Sequence, residues 1–231
     1  VNSFLQDRHL ESREQTKEKA LITKKHESGF TLIEVIVAIA VVAILAGIIT
    51  PSVIKHIDDS KRARAQNDCL VIGSAIASFY KDVARMPNMN AAGNAGIALL
   101  VSDGNTPALA TGATIWNRAL TTATCDLLAN HMSSNSPKSQ SGKQYPTVDS
   151  APGSEFQWRG PYQPSFPPDP WGNRYAVNIG NMTSTNTALS NVIWVLSAGP
   201  DGIIQTAFNP NVPAIGTTLA TVGDDIVYRI R

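Results

Sequence analysis

The longest apolar run in this chain comes early. Phe30 to Ile49 is twenty residues with a single charge, Glu34. At a rise of about 1.5 Å per residue, a helix of that length reaches roughly 30 Å and can cross a bilayer core. The run does not end in turn residues. Past Pro51, apolar positions recur at threes and fours (Val53, Ile54, Ile57, Ala65, Leu70, Ile72, Ile76, Phe79, Val83), while Lys55, Asp58, Lys61, Arg62, Arg64, Asp68 and Lys81 fill much of the other face. That spacing predicts one helix over residues 30–84, with an assembly or membrane half at 30–50 and an amphipathic half at 51–84 that packs on a head. Pro51 lacks an amide hydrogen and should kink or locally melt the helix. A carboxylate such as Glu34 costs roughly 2.5–3.5 kcal/mol at the centre of a membrane helix and less near an end. It therefore reads as a functional group awaiting a partner.

Downstream the pattern changes. Residues 91–112 are rich in Ala, Gly, Asn, Thr and Ser and read as loop, with a short helix near 97–101. Residues 113–132 predict a second helix, and 133–143 an exposed polar loop. Trp116 and His131 read as packing or surface residues. Short strands follow at 175–179, 192–197 and 225–230, separated by turn-rich loops. The simplest arrangement is an antiparallel meander with the helix lying across and burying one face. The fold class is thus α+β, with residues 85–150 an elaboration specific to this chain and 151–231 the β region of a head spanning 85–231.

Composition adds little chemistry. Nineteen Lys and Arg against eighteen Asp and Glu give a net charge of +1, which points to no nucleic-acid surface. The first 29 residues hold six basic and five acidic side chains, so the remainder has thirteen of each. In that segment the apolar core lies downstream of Gly29, not upstream of a cut as in an ordinary secretory signal. Lys24, Lys25 and His26 before the span favour a cytoplasmic amino terminus. The two cysteines, Cys69 and Cys125, form no Cys-x-x-Cys, and in an extracytoplasmic head they are either a disulfide or two buried thiols. No nucleophile elbow, zinc-protease helix, phosphate loop or dinucleotide fingerprint is present, so the chain reads as a non-enzyme.

Two stretches carry a resemblance. The basic segment ending in Gly29, followed by Phe30, Thr31, Leu32, Ile33 and Glu34, resembles the class III signal of type IV pilins and type II secretion pseudopilins. Pro51 falls where that family commonly breaks its helix. The resemblance implies a pilin fold, a cytoplasmic leader at residues 1–29 removed by a prepilin peptidase after Gly29, and methylation of the new amino terminus, Phe30. It also implies an inner-membrane subunit with a periplasmic head, which an assembly platform extracts into a helical fibre with identical subunits and minor pseudopilins. Glu34 of one subunit would meet the Phe30 amino group of its neighbour.

The second stretch runs from Gly160-Pro161-Tyr162 through Asp169-Pro170-Trp171-Gly172-Asn173-Arg174-Tyr175. With Leu196 to Gly202 and Asp224-Asp225-Ile226, it resembles the major pseudopilin of type II secretion systems. In that subfamily the loop between the last strands binds calcium. The residues carried over are Asp201 and Asp225, with Asp224 adjacent and a backbone carbonyl from Leu196 or Ser197. The residues also permit a plainer reading, in which Asp201 makes a turn with Gly202 and Asp224-Asp225 caps a strand entrance. A type IV pilus subunit is the rival reading of the whole chain. A membrane-anchored binding protein or enzyme whose span mimics the signal is a third.

Overall fold

The computed structural model describes residues 29–110, 116, 120–140, 142–147, 155–179, 193–206 and 223–230. One helix, α1, spans Leu32–Val83. Thr31 starts it: its Oγ1 accepts the Glu34 backbone N–H at 3.3 Å, closing one of the amides that a helix terminus leaves unsatisfied. The helix runs through Pro51 without interruption, so the expected melted turn is absent. Pro51 deprives the Gly47 carbonyl of its amide partner, and the Thr50 hydroxyl donates to the Ala46 carbonyl at 2.6 Å in the same turn.

The chain divides between Ile54 and Lys55 into two units. In the first, every described side chain is exposed. Its helical stretch is long and apolar enough to cross a membrane by length and composition.

The second unit is built on a five-stranded sheet. Its strands are β1 (Leu99–Val101), β3 (Cys125–Leu127), β4 (Ala176–Val177), β5 (Trp194–Ser197) and β7 (Ile226–Arg229), in the order β3-β1-β4-β5-β7. A small parallel pair joins β2 (Ala108–Leu109) to β6 (Ile203–Ile204). As expected, β4, β5 and β7 form an antiparallel meander, with Ala176 opposite Leu196 and Leu196 opposite Val227. Two findings depart from the sequence reading. The helix expected near 97–101 is strand β1, which pairs antiparallel with β4. The helix expected over 113–132 is reduced, within the described residues, to α2 (Leu128–Met132), preceded by β3, which runs parallel to β1. A short apolar run has no periodicity to distinguish strand from helix; an available partner edge decides it. Residues 85–150 therefore supply two strands of the main sheet.

Side chains alternate across the sheet with the strand period of two. Leu100, Val177, Val195 and Ile226 face α1, where Ala65, Cys69, Ile72, Ile76, Phe79 and Val83 recur at intervals of four and three. Leu99, Val101, Cys125, Ala176 and Leu196 face the other way into a second core with Trp116, Ala198 and Ile204. The sheet is thus buried on both faces, not only under the helix, which explains why its strands are mostly apolar. Cys69 belongs to the first core and Cys125 to the second, with the sheet between them. This corrects the disulfide alternative: both side chains are buried thiols. Burial, then the carboxylates of Asp68 and Asp169, push the Cys69 thiol far above its ordinary value, so it is unreactive.

Helix and sheet come into close contact at Gly73. A Cβ there would lie 2.5 Å from the Tyr228 ring of β7, so the absence of a side chain lets the aromatic pack against the helix. The stretch 133–143, expected to be exposed, is partly built in. Asn135 is buried, donating from Nδ2 to the Tyr145 carbonyl at 3.0 Å and accepting the Tyr145 N–H at 2.8 Å.

Candidate functional site

The sequence-predicted site residues fall in two places. Gly29 and Phe30 precede the first turn of α1, are not helical and are exposed; Phe30 is 83% exposed. The Gly29-Phe30 bond therefore lies in accessible, irregular backbone, the form a peptidase can take into an extended cleft. Glu34 sits in the first helical turn, its side chain exposed, and Pro51 lies further along the same helix.

The second place is the loop pair after β5 and before β7. Asp169 anchors it from below. Its Oδ1 accepts the backbone N–H groups of Trp171 and Asn173 at 3.0 and 2.8 Å, forming the turn that the sequence predicts. Its Oδ2 accepts the Ser197 hydroxyl at 2.7 Å, and Ser197 Oγ accepts the Gly199 N–H at 3.2 Å. These bonds tie the turn to β5. Gly199, at φ +66°, packs against the Asp224 backbone so closely that any Cβ would collide with the Asp224 carbonyl.

Asp201, Asp224 and Asp225 come together across this contact. Asp201 Oδ1 accepts the Ile203 N–H at 2.8 Å, and Asp224 Oδ2 accepts the Asp201 N–H at 3.3 Å. Asp225, 6% exposed, accepts the N–H groups of Gln205 and Thr206 on Oδ2 at 2.9 and 2.6 Å. Its Oδ1, like Asp224 Oδ1, is buried and has no hydrogen-bond partner. Burial, with the neighbouring Asp224 charge adding to it, outweighs those hydrogen bonds and raises the Asp225 carboxyl above its ordinary value. Two orphaned buried carboxylate oxygens and a glycine cradle fit a hard cation such as calcium. Among the described residues, however, no three His, Cys, Asp or Glu side chains converge into a ready metal-holding group. Any cation there must draw on other oxygens. Leu196 is a poor source, since it is paired with Ala176 on one side and Val227 on the other, inside the ladder.

Sequence reasoning missed a buried polar line in the head. His131 is fully buried between Asp126 and Tyr145, with Nε2 2.9 Å from Asp126 Oδ2 and Nδ1 2.7 Å from the Tyr145 hydroxyl. Asp126 also accepts the Lys138 N–H at 2.6 Å and Asn130 Nδ2 at 2.7 Å. Burial pulls Asp126 up, but the hydrogen bonds and charge from His131, with those of Lys138 and Asn130, hold it below its usual value. Burial lowers His131, keeping the ring neutral. An ionised Asp126 takes the proton on Nε2, so Tyr145 donates to Nδ1 and accepts the Met89 N–H at 3.2 Å. With no open side, this line is structural. Nothing in the spacing of these residues along the chain could have found it.

The family model described as the prokaryotic N-terminal methylation motif matches residues 24–50. In this motif, and in a long amino-terminal helix followed by a mostly antiparallel sheet, the chain is type IV pilin-like. The type II secretion system core protein G of Pseudomonas aeruginosa is 34% identical over 59 residues, 26% of this chain and 42% of that protein. The core protein G of Aeromonas hydrophila is 31% identical over 64 residues, 28% of this chain and 45% of the relative. The fimbrial protein EcpC of Eikenella corrodens is 37% identical over 79 residues, 34% of this chain and 50% of that protein. The chain thus spans about half the length, or less, of the curated relatives it matches. No solved structure matches it.

Proposed function

We propose that this chain is a structural subunit of a type II secretion pseudopilus, a helical fibre that drives protein export. The observation that carries the reading is the exposed Gly29-Phe30 bond directly ahead of a capped, uninterrupted helix whose first half is apolar except for Glu34. A prepilin peptidase cuts after Gly29 and methylates Phe30. The subunit waits in the inner membrane, head outward, until an assembly platform extracts it into the fibre. An unpaired Glu34 is penalised in lipid; paired with the Phe30 amino group of a neighbour in a dry fibre core, it is tolerated. That difference favours addition at the fibre base and sets register. Minor pseudopilins are the other expected partners.

Calcium is part of this reading. Asp201, Asp224 and Asp225 would hold it with backbone carbonyls or water, and it would supply the positive charge that the orphaned oxygens lack. The similarity to EcpC favours a second reading, a type IV pilus subunit. Deleting the gene separates the two. Exoproteins accumulating inside the cell support the pseudopilus. Loss of surface fibres or twitching with secretion intact overturns it in favour of the pilus.

A further inference from the structure

Gln205 is the side chain that closes the acidic loop pair. Its Nε2 donates to Asp201 Oδ2 at 3.0 Å, its Oε1 accepts the Asp224 N–H at 3.3 Å, and its own N–H goes to Asp225 Oδ2 at 2.9 Å. One residue thus touches all three acids. Gly223, at φ +75°, makes room for it, since a Cβ there would fall on the carboxamide itself. The amide nitrogen stands beside Asp201 where a positive charge would otherwise be drawn. On the other side, Asp224 Oδ1 and Asp225 Oδ1 are buried without a donor. No ready group of three metal-holding side chains is present among the described residues, so a cation needs an oxygen from a neutral group.

We propose that Gln205 is both the latch of this loop and a calcium ligand that appears only when the latch opens. Without the cation, the carboxamide crosslinks the strand-end segments around Asp201 and Asp224. An entering calcium ion displaces Nε2 from Asp201, and the amide turns about its terminal torsion to present Oε1. That torsion is soft and nearly two-fold, so the cost of the turn lies in the two hydrogen bonds it gives up, from Nε2 to Asp201 and from the Asp224 N–H to Oε1, which the ion's own bonds must offset. Calcium accepts amide oxygens beside carboxylates, and a neutral ligand gives a weaker site than a carboxylate would. This inference rests on the calcium reading above and adds a residue to it.

The test follows thermal unfolding of the full chain in detergent micelles, with calcium chloride added or chelated. In chelator, Gln205→Ala lowers the melting temperature by roughly 3–8 °C through lost hydrogen bonds to a charged group. The calcium concentration for half of the stabilisation rises about tenfold. Gln205→Glu is the diagnostic change. Its carboxylate repels Asp201, so the melting temperature falls in chelator; it also strengthens the site, so calcium restores stability at a concentration about tenfold below wild type. If calcium stabilises wild type but both variants respond at its concentration, the role of Gln205 is overturned and the calcium site stands. If wild type itself does not respond, both are overturned.

Discussion

At the scale of single residues, His131 gives the head its sensitivity to acid. The ring is neutral and buried; burial opposes its protonation, and the Lys138 and Arg85 charges add to that against the pull of Asp126. In the unfolded chain the same histidine takes up a proton below about pH 6.5. Between that value and its lower folded value, the unfolded state binds more protons, so stability is lost as pH falls. Asp126 acts in the same direction lower on the scale, below about pH 3.9, while Asp225, raised in the fold, acts in the opposite sense. Comparing His131→Gln with wild type isolates the histidine. Melting curves should show the variant about 1–3 kcal/mol less stable at pH 7, with the gap narrowing toward pH 5; a constant gap would rule out the neutral buried ring. Gly73 is the second such residue. Gly73→Ala should gain helix propensity of about 1 kcal/mol but lose about 1–3 kcal/mol by driving Tyr228 outward. If that account holds, urea melts will show the loss largely removed when Tyr228→Ala is added.

At the scale of elements, α1 has two uses in one piece of secondary structure. The half beyond Lys55 carries the heptad-like stripe that packs on the sheet; the half before it buries none of its described side chains. Glu34 belongs to the second kind, so its loss should leave the head untouched. Glu34→Ala is expected to abolish fibre assembly by electron microscopy while shifting head stability by less than about 0.5 kcal/mol. Thr31→Ala removes the cap and should cost the first turn about 1 kcal/mol, seen as faster amide exchange at Glu34. The elements were unevenly legible in the sequence. The helix and strands β4, β5 and β7 announced themselves by period and by flanking turns. β1 and β3 did not: three-residue strands are too short to show a period and acquire an identity only from a neighbour, as Leu100 does from Val177. The continuity of α1 through Pro51 was equally hidden, because a proline rule speaks of the one hydrogen bond it removes and not of the helix that carries on around it.

At the scale of the whole molecule, the proposal is of an assembly component acted upon by other proteins. Protein isolated from native membranes should begin at a methylated Phe30, read by amino-terminal sequencing and mass. A product that keeps Gly29 and the residues before it would end the pseudopilus and pilus readings together. The head is stabilised on both faces of its sheet, so it should stay folded whether or not the chain is polymerised.

The sequence by itself determined the apolar span, its solitary acid, the Gly29-Phe30 bond before it and the amphipathic stripe that follows. Each of these is a property of neighbours along one helix or one extended segment, so spacing alone encodes it. Only the tertiary structure decided that Cys69 and Cys125 lie on opposite faces of a sheet, that Asp126, His131 and Tyr145 share a proton line, and that Gln205 reaches all three terminal-loop acids. Those depend on contacts between residues distant in the chain, and they exist only once strand order brings their backbones together.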